Sequence, residues 1–335
     1  MGNDRAVSVH RQPRRCRPPR PRGDSAATGS RAGASRNVSL GAWARLVRVP
    51  NLPSPLADIA LGAFVVSGGW PADHLPRLAL LCMSSICLYA AGMVLNDTYD
   101  VAEDRVGRPE RPLPRGHISF AYAHAAGLLL LAMGLVLAGF SGWHENGFDQ
   151  QPGRVAVALA FSVWLYNIWA KRTVVGPVVM GLCRGQNVLL GATVAGVALD
   201  ERALVPAAAC ALYIGGLTWF ARDDARLSRR THLAMAGLIV AGALVWAASA
   251  LLAEKAWLAL GLLAVLAVYV GQAMARAVAQ PDAGPVRAAV GRLLLGYIPF
   301  STAWAVGFAG PAGWCSLLLI PVMIGLRRYL AARLT

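Results

Sequence analysis

Asp97, Asp100 and Asp104 are spaced i, i+3 and i+7, which on a helix of 3.6 residues per turn sets three carboxylates on one face. Like charges on one stripe repel, so a cationic partner should offset the cost. Hard divalent cations prefer carboxylate oxygen, and Mg2+ typically takes one or two carboxylates together with substrate phosphates. Five of the 17 acidic residues lie between Asp97 and Glu110. The loop that follows, RPERPLPRG, brings Arg108, Arg111 and Arg115 alongside, and the rigid multi-donor fork of arginine suits phosphate oxygens. The plainer alternative is a solvated helix end with loop salt bridges to Arg105, Arg108 and Arg111. Against it, the stripe directly continues an apolar segment and a strongly basic loop follows. Acids for a metal beside arginines for phosphate make a diphosphate site, with Asn96 placed to orient either.

The elements that carry this stripe are membrane helices. The chain of 335 residues is 56% hydrophobic and 15% charged, against about 25% charged in a soluble domain. Apolar blocks of about twenty residues, the length that crosses ~30 Å of hydrocarbon as helix, fall near 54–70, 78–95, 120–140, 155–170 and 174–199, then 203–220, 233–252, 256–275, 293–309 and 314–326. The fold expected is an all-α polytopic membrane protein, a bundle of about nine to ten helices around a central cavity opening to the cytoplasmic side. The last two spans are the weakest, one interrupted by Pro299 and the other short. Cytoplasmic loops hold the excess of Lys and Arg, and RVGRPERPLPRG, AKRT, RDDARLSRR, VRAAVGR and the C-terminal RRYLAARLT all follow even-numbered spans. The N-terminus is therefore placed in the cytoplasm of an inner membrane, and the acids at 96–110 and 223–224 share one membrane face.

Residues 1–37 hold nine arginines among Pro, Gly and Ser, too little apolar area to fold. They form an expected disordered cytoplasmic tail, with 38–335 as the transmembrane domain. Nucleic-acid binding is not expected of the tail, and no apolar segment makes it a signal peptide. The six cysteines show no ligand spacing and predict neither disulfides nor zinc.

Arg184 falls near the middle of a span, with Gln186 and Asn187 beside it. An intramembrane arginine is costly and faces the bundle interior. Asp58 in the first span is the charge to pair with it, either as a structural pair or as part of an acceptor pocket. Trp164, Trp169, Trp219 and Tyr99 stand at span ends, where aromatic side chains anchor at the membrane interface or, facing the cavity, stabilise a cation.

The run NDTYDVAEDRVGRPERPLPRG resembles the first signature of the UbiA superfamily of intramembrane prenyltransferases, NDxxDxxxD followed by RPxRPLxxG. RLVRVPNLPSPLADIALGA is similar to that family's first helix and its entry, and LYNIWAKR to its fourth-helix segment. The likeness covers roughly 42–330, and RPERPLPRG, MGLCRGQNVLLGA and LTWFARDDA look nearest to an EboC-like bacterial branch. The resemblance implies Mg2+-dependent transfer of an isoprenyl group from its diphosphate to a small acceptor, an aromatic or quinone precursor or a polar hydroxyl compound, within the lipid bilayer. It implies Lys171 on the diphosphate and Tyr166 beside it, and a second metal motif at Asp223 and Asp224. The usual DxxxD is absent there, because Leu227 and Ser228 stand four residues on. The competing classes are a transporter or lipid carrier, whose site would lie near the bilayer midplane, and a CDP-alcohol phosphotransferase, whose DGxxAR segment this chain lacks.

Overall fold

The computed structural model describes residues 40–144, 147–222 and 229–334. They are almost entirely helical, as a chain in hydrocarbon must be, since only a helix satisfies its own backbone groups along a single segment. A short α1 (Leu40–Leu46) leads through a 3-10 turn into α2 (Pro53–Ser67) and α3 (Leu75–Tyr99), which continues as α4 (Val101–Gly107). Helices α5 (Phe120–Ser141), α6 (Gln151–Ile168), α7 (Gly176–Ala192) and α8 (Glu201–Phe220) follow, then α9 (Arg229–Ala253), α10 (Trp257–Ala279), α11 (Ala283–Ala309) and α12 (Leu319–Leu334). Two two-residue strands, β1 (Trp143–His144) and β2 (Gly147–Phe148), pair antiparallel between α5 and α6. Among the described residues, eight stretches are long and apolar enough to cross a membrane. Leu238, Val265 and Leu129 stand about two-thirds exposed on outward faces, as lipid-facing side chains do.

The ten apolar blocks fall on helices, with three departures, the first being 174–199, where α7 stops at Ala192 and only a 3-10 turn over Thr193–Ala195 follows. The block at 155–170 breaks at Trp169, where a 3-10 turn over Ala170–Arg172 carries Lys171 out of helical register. The tenth block is not one helix: residues Gly310–Leu318 form a 3-10 segment before α12. That segment folds tightly against α11, since a side chain at Gly313 would meet the Val306 nitrogen at 2.4 Å.

Helices α2 and α7 form the centre. On one side α3, α5 and α6 pack around Leu81, Leu88 and Leu159; on the other α8 to α11 bury Tyr213, Phe300 and Trp304. Glycines let the central backbones touch, as small residues do in membrane helix pairs. A Cβ at Gly62 would lie 2.0 Å from the Val188 carbonyl oxygen, and one at Gly191 would lie 2.3 Å from that of Ile59. Across the other face of α7, Gly181 approaches the Ala211 carbonyl in the same way, 2.4 Å from an added Cβ.

The connections separate to two ends. At one, Lys171 reaches Asp100, and Arg222 donates to the Thr173 carbonyl at 2.6 Å. At the other, Arg77 pairs with Asp149. Among the described residues, the second, fourth and sixth connections thus meet at one end, and the first and third at the other.

Candidate active site

The three aspartates do not sit on one unbroken helix. Asp100 ends α3 and begins α4 with φ −95° and ψ 3°, the bridge region in which many active-site residues sit. The hydrogen bonds from Asp100 N to Asn96 O (3.0 Å) and from Asp104 N to Asp100 O (2.8 Å) survive the break. The chain bends there without losing its backbone partners, and the side chains divide into two groups.

Asp97 and Asp104, both 5% exposed, converge on Arg111, whose Nη1 lies 3.2 Å from Asp97 Oδ1 and 2.6 Å from Asp104 Oδ2. Asp100 turns to Lys171, whose ammonium is 2.5 Å from Oδ1 and 3.4 Å from Asn96 Oδ1. That contact is ionic, off the hydrogen-bonding direction. Arg172 flanks it, 2.8 Å from Glu103 and 3.7 Å from Asp100. The expected single stripe is thus corrected: the bend at Asp100 directs its carboxylate away from the Asp97–Asp104 pair. Among the described residues, no three His, Cys, Asp or Glu side chains come together closely enough to share one ion. Asp223 and Asp224 lie outside the described residues.

Arg48 joins this site unannounced by any spacing. Its Nη2 is 3.3 Å from Asp97 Oδ1, and its backbone is left-handed, with φ 56° and ψ 49°. A bulky residue held there is strained, and the surrounding α1–α2 turn holds it with the guanidinium turned to the acids. The segment RLVRVPN suggested an entry to the first helix but did not single out this side chain. Arg108 and Arg115 are exposed and form no ion pair among the described residues.

The ion pairs at this end balance. Arg48, Arg111, Lys171 and Arg172 face Asp97, Asp100, Glu103 and Asp104, four cations against four carboxylates. A polyanion entering so neutral a mouth must bring positive charge with it or recruit Arg108 and Arg115. The oxygens suit a hard divalent cation. The two buried carboxylates Asp97 and Asp104 already share Arg111, with Arg48 also on Asp97, and Mg2+ needs only one or two carboxylates beside phosphate oxygens.

Below Asn96 lies a cavity of about 90 Å³ between α2, α3, α6 and α7. Its walls are apolar at Leu88, Gly92, Met93, Leu159 and Val163, and Tyr166 faces it near the mouth. Its far end is polar, with Ser85, Arg184 and Asn187. There the expected Asp58–Arg184 pair is present, Nη1 to Oδ2 at 3.2 Å, with Asp58 wholly buried. Asn187 donates to Asp58 Oδ2 (2.9 Å) and to the Pro55 carbonyl (2.9 Å), and Ser85 donates to Asn187 Oδ1 (2.8 Å). Arg184 Nη2 donates to Ser54 Oγ at 2.5 Å. Tyr297 donates to Asp58 Oδ1, and its ring lies 4.6 Å under the guanidinium. Ser54, Ser85 and Tyr297 carry no spacing signal, so only the fold brings them together. Trp164 and Trp169 face outward, 42% and 52% exposed, which suits interfacial anchoring.

Residues 56–290 match the UbiA prenyltransferase family. A digeranylgeranylglyceryl phosphate synthase of Sulfolobus acidocaldarius is 36% identical over 101 residues, 30% of this chain and 36% of that protein. One of Methanoculleus marisnigri is 31% identical over 163 residues, 48% of this chain and 54% of that protein. The chain thus spans between a third and about half the length of these curated relatives. Among solved structures, a UbiA homologue of Aeropyrum pernix superposes with a TM-score of 0.60 at 17% identity, over 77% of this chain and 97% of that one. A structure described as that of a digeranylgeranylglyceryl phosphate synthase superposes at 0.56 and 20% identity, over 80% and 98%. At such identities the likeness is one of fold.

Proposed function

This chain belongs to the UbiA prenyltransferase family, and from that premise we propose that it moves an isoprenyl group from its diphosphate to a small acceptor. The observation that carries the reading is the apolar cavity whose mouth, at Asn96, adjoins the paired acids and bases. A hydrocarbon tail with a charged head fits that polarity and no other substrate class fits it as well.

Lys171 and Arg111, released from Asp100 and from the Asp97–Asp104 pair, take up diphosphate oxygens, and Arg48, Arg108 and Arg115 surround the rest of the head. These donors stand where negative charge develops as the C–O bond breaks and its electron pair leaves with the diphosphate. Mg2+ bound with the diphosphate would supply the remaining positive charge there. Asp97 and Asp104 would hold it, with Asn96 beside them; Asp100, turned to Lys171, and the acids at 223 and 224 would serve a second ion. The apolar walls exclude water from the allylic cation, and Tyr166 turns toward the mouth, where a ring face favours a cation. The acceptor attacks that carbon, forms the new bond and loses its proton.

The relatives' name favours a hydroxyl acceptor of the glycerol phosphate class over an aromatic one. Placement nearer an EboC-like bacterial branch rests on the three quoted segments alone. The orientation we favour, with Arg48, Arg111 and Lys171 in the cytoplasm of a bacterial inner membrane, follows from the excess of basic residues at that end.

The test is diphosphate release in membranes supplied with labelled geranylgeranyl diphosphate and either geranylgeranylglyceryl phosphate or 4-hydroxybenzoate. Release should require Mg2+, stop with EDTA, return on adding Mg2+ back, and be abolished in Asp97→Ala and Lys171→Ala. Release at the wild-type rate by both variants refutes the site.

A further inference from the structure

Resting on the prenyl-transfer reading, we infer that the basic patch where α12 meets the α1–α2 turn is a second anion subsite, which takes the phosphate monoester of a glycerol phosphate-class acceptor. Arg45, Arg327 and Arg328 are exposed and form no ion pair among the described residues. No acidic residue occurs from Leu40 to Ala57 or from Leu319 to Thr335. The cations on Asp97, Asp100, Glu103 and Asp104 are matched by those acids. This patch instead carries positive charge that its own elements leave unbalanced.

Basic residues at one membrane face ordinarily orient the chain, but Arg327 is built into the fold. Met323, 2% exposed, packs with Ala57 and Ile298, and Arg327 follows one turn later on the same face of α12. Its Nη2 donates to Asn51 Oδ1 at 3.3 Å. Asn51 ends the 3-10 turn over Val49–Asn51, and the residue before that turn is the left-handed Arg48, bonded to Asp97. Tyr89, a neighbour of Asn51 and Arg48, lines the cavity. A line of contacts thus runs from α12 to the cavity mouth, and Arg48 stands between the patch and the diphosphate.

The position suits the geometry of such an acceptor. In a glycerol phosphate the secondary hydroxyl lies about four bonds from phosphorus, roughly 5 Å at ~1.5 Å per bond. Attack by that hydroxyl on the isoprenyl carbon near Asn96 therefore places the phosphate at the mouth. It does not reach the far end of the cavity, where Arg184 is already paired with Asp58. Unpaired guanidinium groups hold phosphate oxygens through charge-assisted, often bidentate hydrogen bonds, and an uncharged acceptor gains nothing from them. Arg327 and Arg48 are the specificity-determining residues, while Arg45 and Arg328 at the rim raise the local concentration of the anion.

The experiment is equilibrium binding to full-length protein in phosphatidylcholine nanodiscs, without isoprenyl diphosphate. The probes are labelled geranylgeranylglyceryl phosphate and the alcohol left by removing its phosphate. Arg327→Gln should weaken the phosphate ester about tenfold or more and leave the alcohol within about twofold, the scale of one lost hydrogen bond to a charged group. Arg327→Lys, which keeps the charge, should lose less. Asn51→Ala, which removes only the anchor of Arg327, should show the same selective loss at smaller size, and it stands in if Arg327→Gln misfolds. The ratio of wild type to variant should persist when phosphatidylglycerol is added. Its disappearance there shows that bilayer headgroups fill the patch and overturns the assignment. An equal loss on both probes, or no loss on either, overturns it too. Wild type that binds the ester selectively, yet releases no diphosphate once Mg2+ and geranylgeranyl diphosphate are supplied, overturns the transferase reading instead.

Discussion

Removing Arg184 alone should harm the protein more than removing it together with the charge it neutralises. In Arg184→Met the carboxylate of Asp58 stays fully buried with only Asn187 and Tyr297 as donors. Breaking a buried pair by deleting one partner costs about 3–5 kcal/mol in soluble proteins. Two further losses belong to the same change, the 2.5 Å hydrogen bond to Ser54 and the ring contact with Tyr297. Helices unfolded within a bilayer or micelle still find polar partners, which lowers such values. The single substitution should therefore cost about 3 kcal/mol. Asp58→Asn in the same chain removes the stranded charge and keeps one acceptor oxygen, enough for either Asn187 or Tyr297 but not for both. The double variant should recover about half of the loss, roughly 1.5 kcal/mol, and the coupling in a double-mutant cycle is that amount plus the cost of Asp58→Asn alone. Unfolding of purified protein in mixed micelles, followed by circular dichroism, measures all four corners. Additive effects, or an Arg184→Met variant as stable as wild type, would refute the claim that this pair holds α2, α7 and α11 together.

Two further outcomes follow from the geometry. Gly191→Val should fail to give monodisperse protein on size-exclusion chromatography, because its Cβ would lie 2.3 Å from the Ile59 carbonyl oxygen and neither backbone can yield. The double substitution Arg108→Ala and Arg115→Ala should leave stability within about 0.5 kcal/mol, as exposed side chains do. It should nevertheless raise KM for the isoprenyl diphosphate several-fold and flatten the dependence of KM on salt, since exposed charges are screened.

The helices were legible because a chain in hydrocarbon has few options. Twenty apolar residues with no water for their backbone become a helix, and Leu78 to Leu95 needed no further argument. The Asp58–Arg184 pair was legible for a related reason, since two opposite charges inside a membrane must find each other. The bend at Asp100 was not. Local spacing favours an uninterrupted helix through Asp104, and the break accompanies a contact with Lys171, seventy-one positions along the chain. Arg48 was not legible either, because a basic residue before a first span reads as an orientation signal, and its left-handed backbone carries no mark in residue type. Tyr297 lies 239 residues from Asp58, with nothing periodic to connect them. The acids at 223 and 224 were conspicuous in the sequence, and they lie outside the described residues.

The reciprocal contact of Gly62 and Gly191 bears on movement. Two helices whose peptide groups touch at both points leave no room for a side chain between them, so α2 and α7 pack as one unit. The opposite walls differ: Gly92 meets α6 through a side-chain methyl of Val163, and Asn167 bridges to the Gly92 carbonyl at 3.3 Å. The α3–α6 contact, made through side chains, can yield by a rotamer change where the α2–α7 contact cannot.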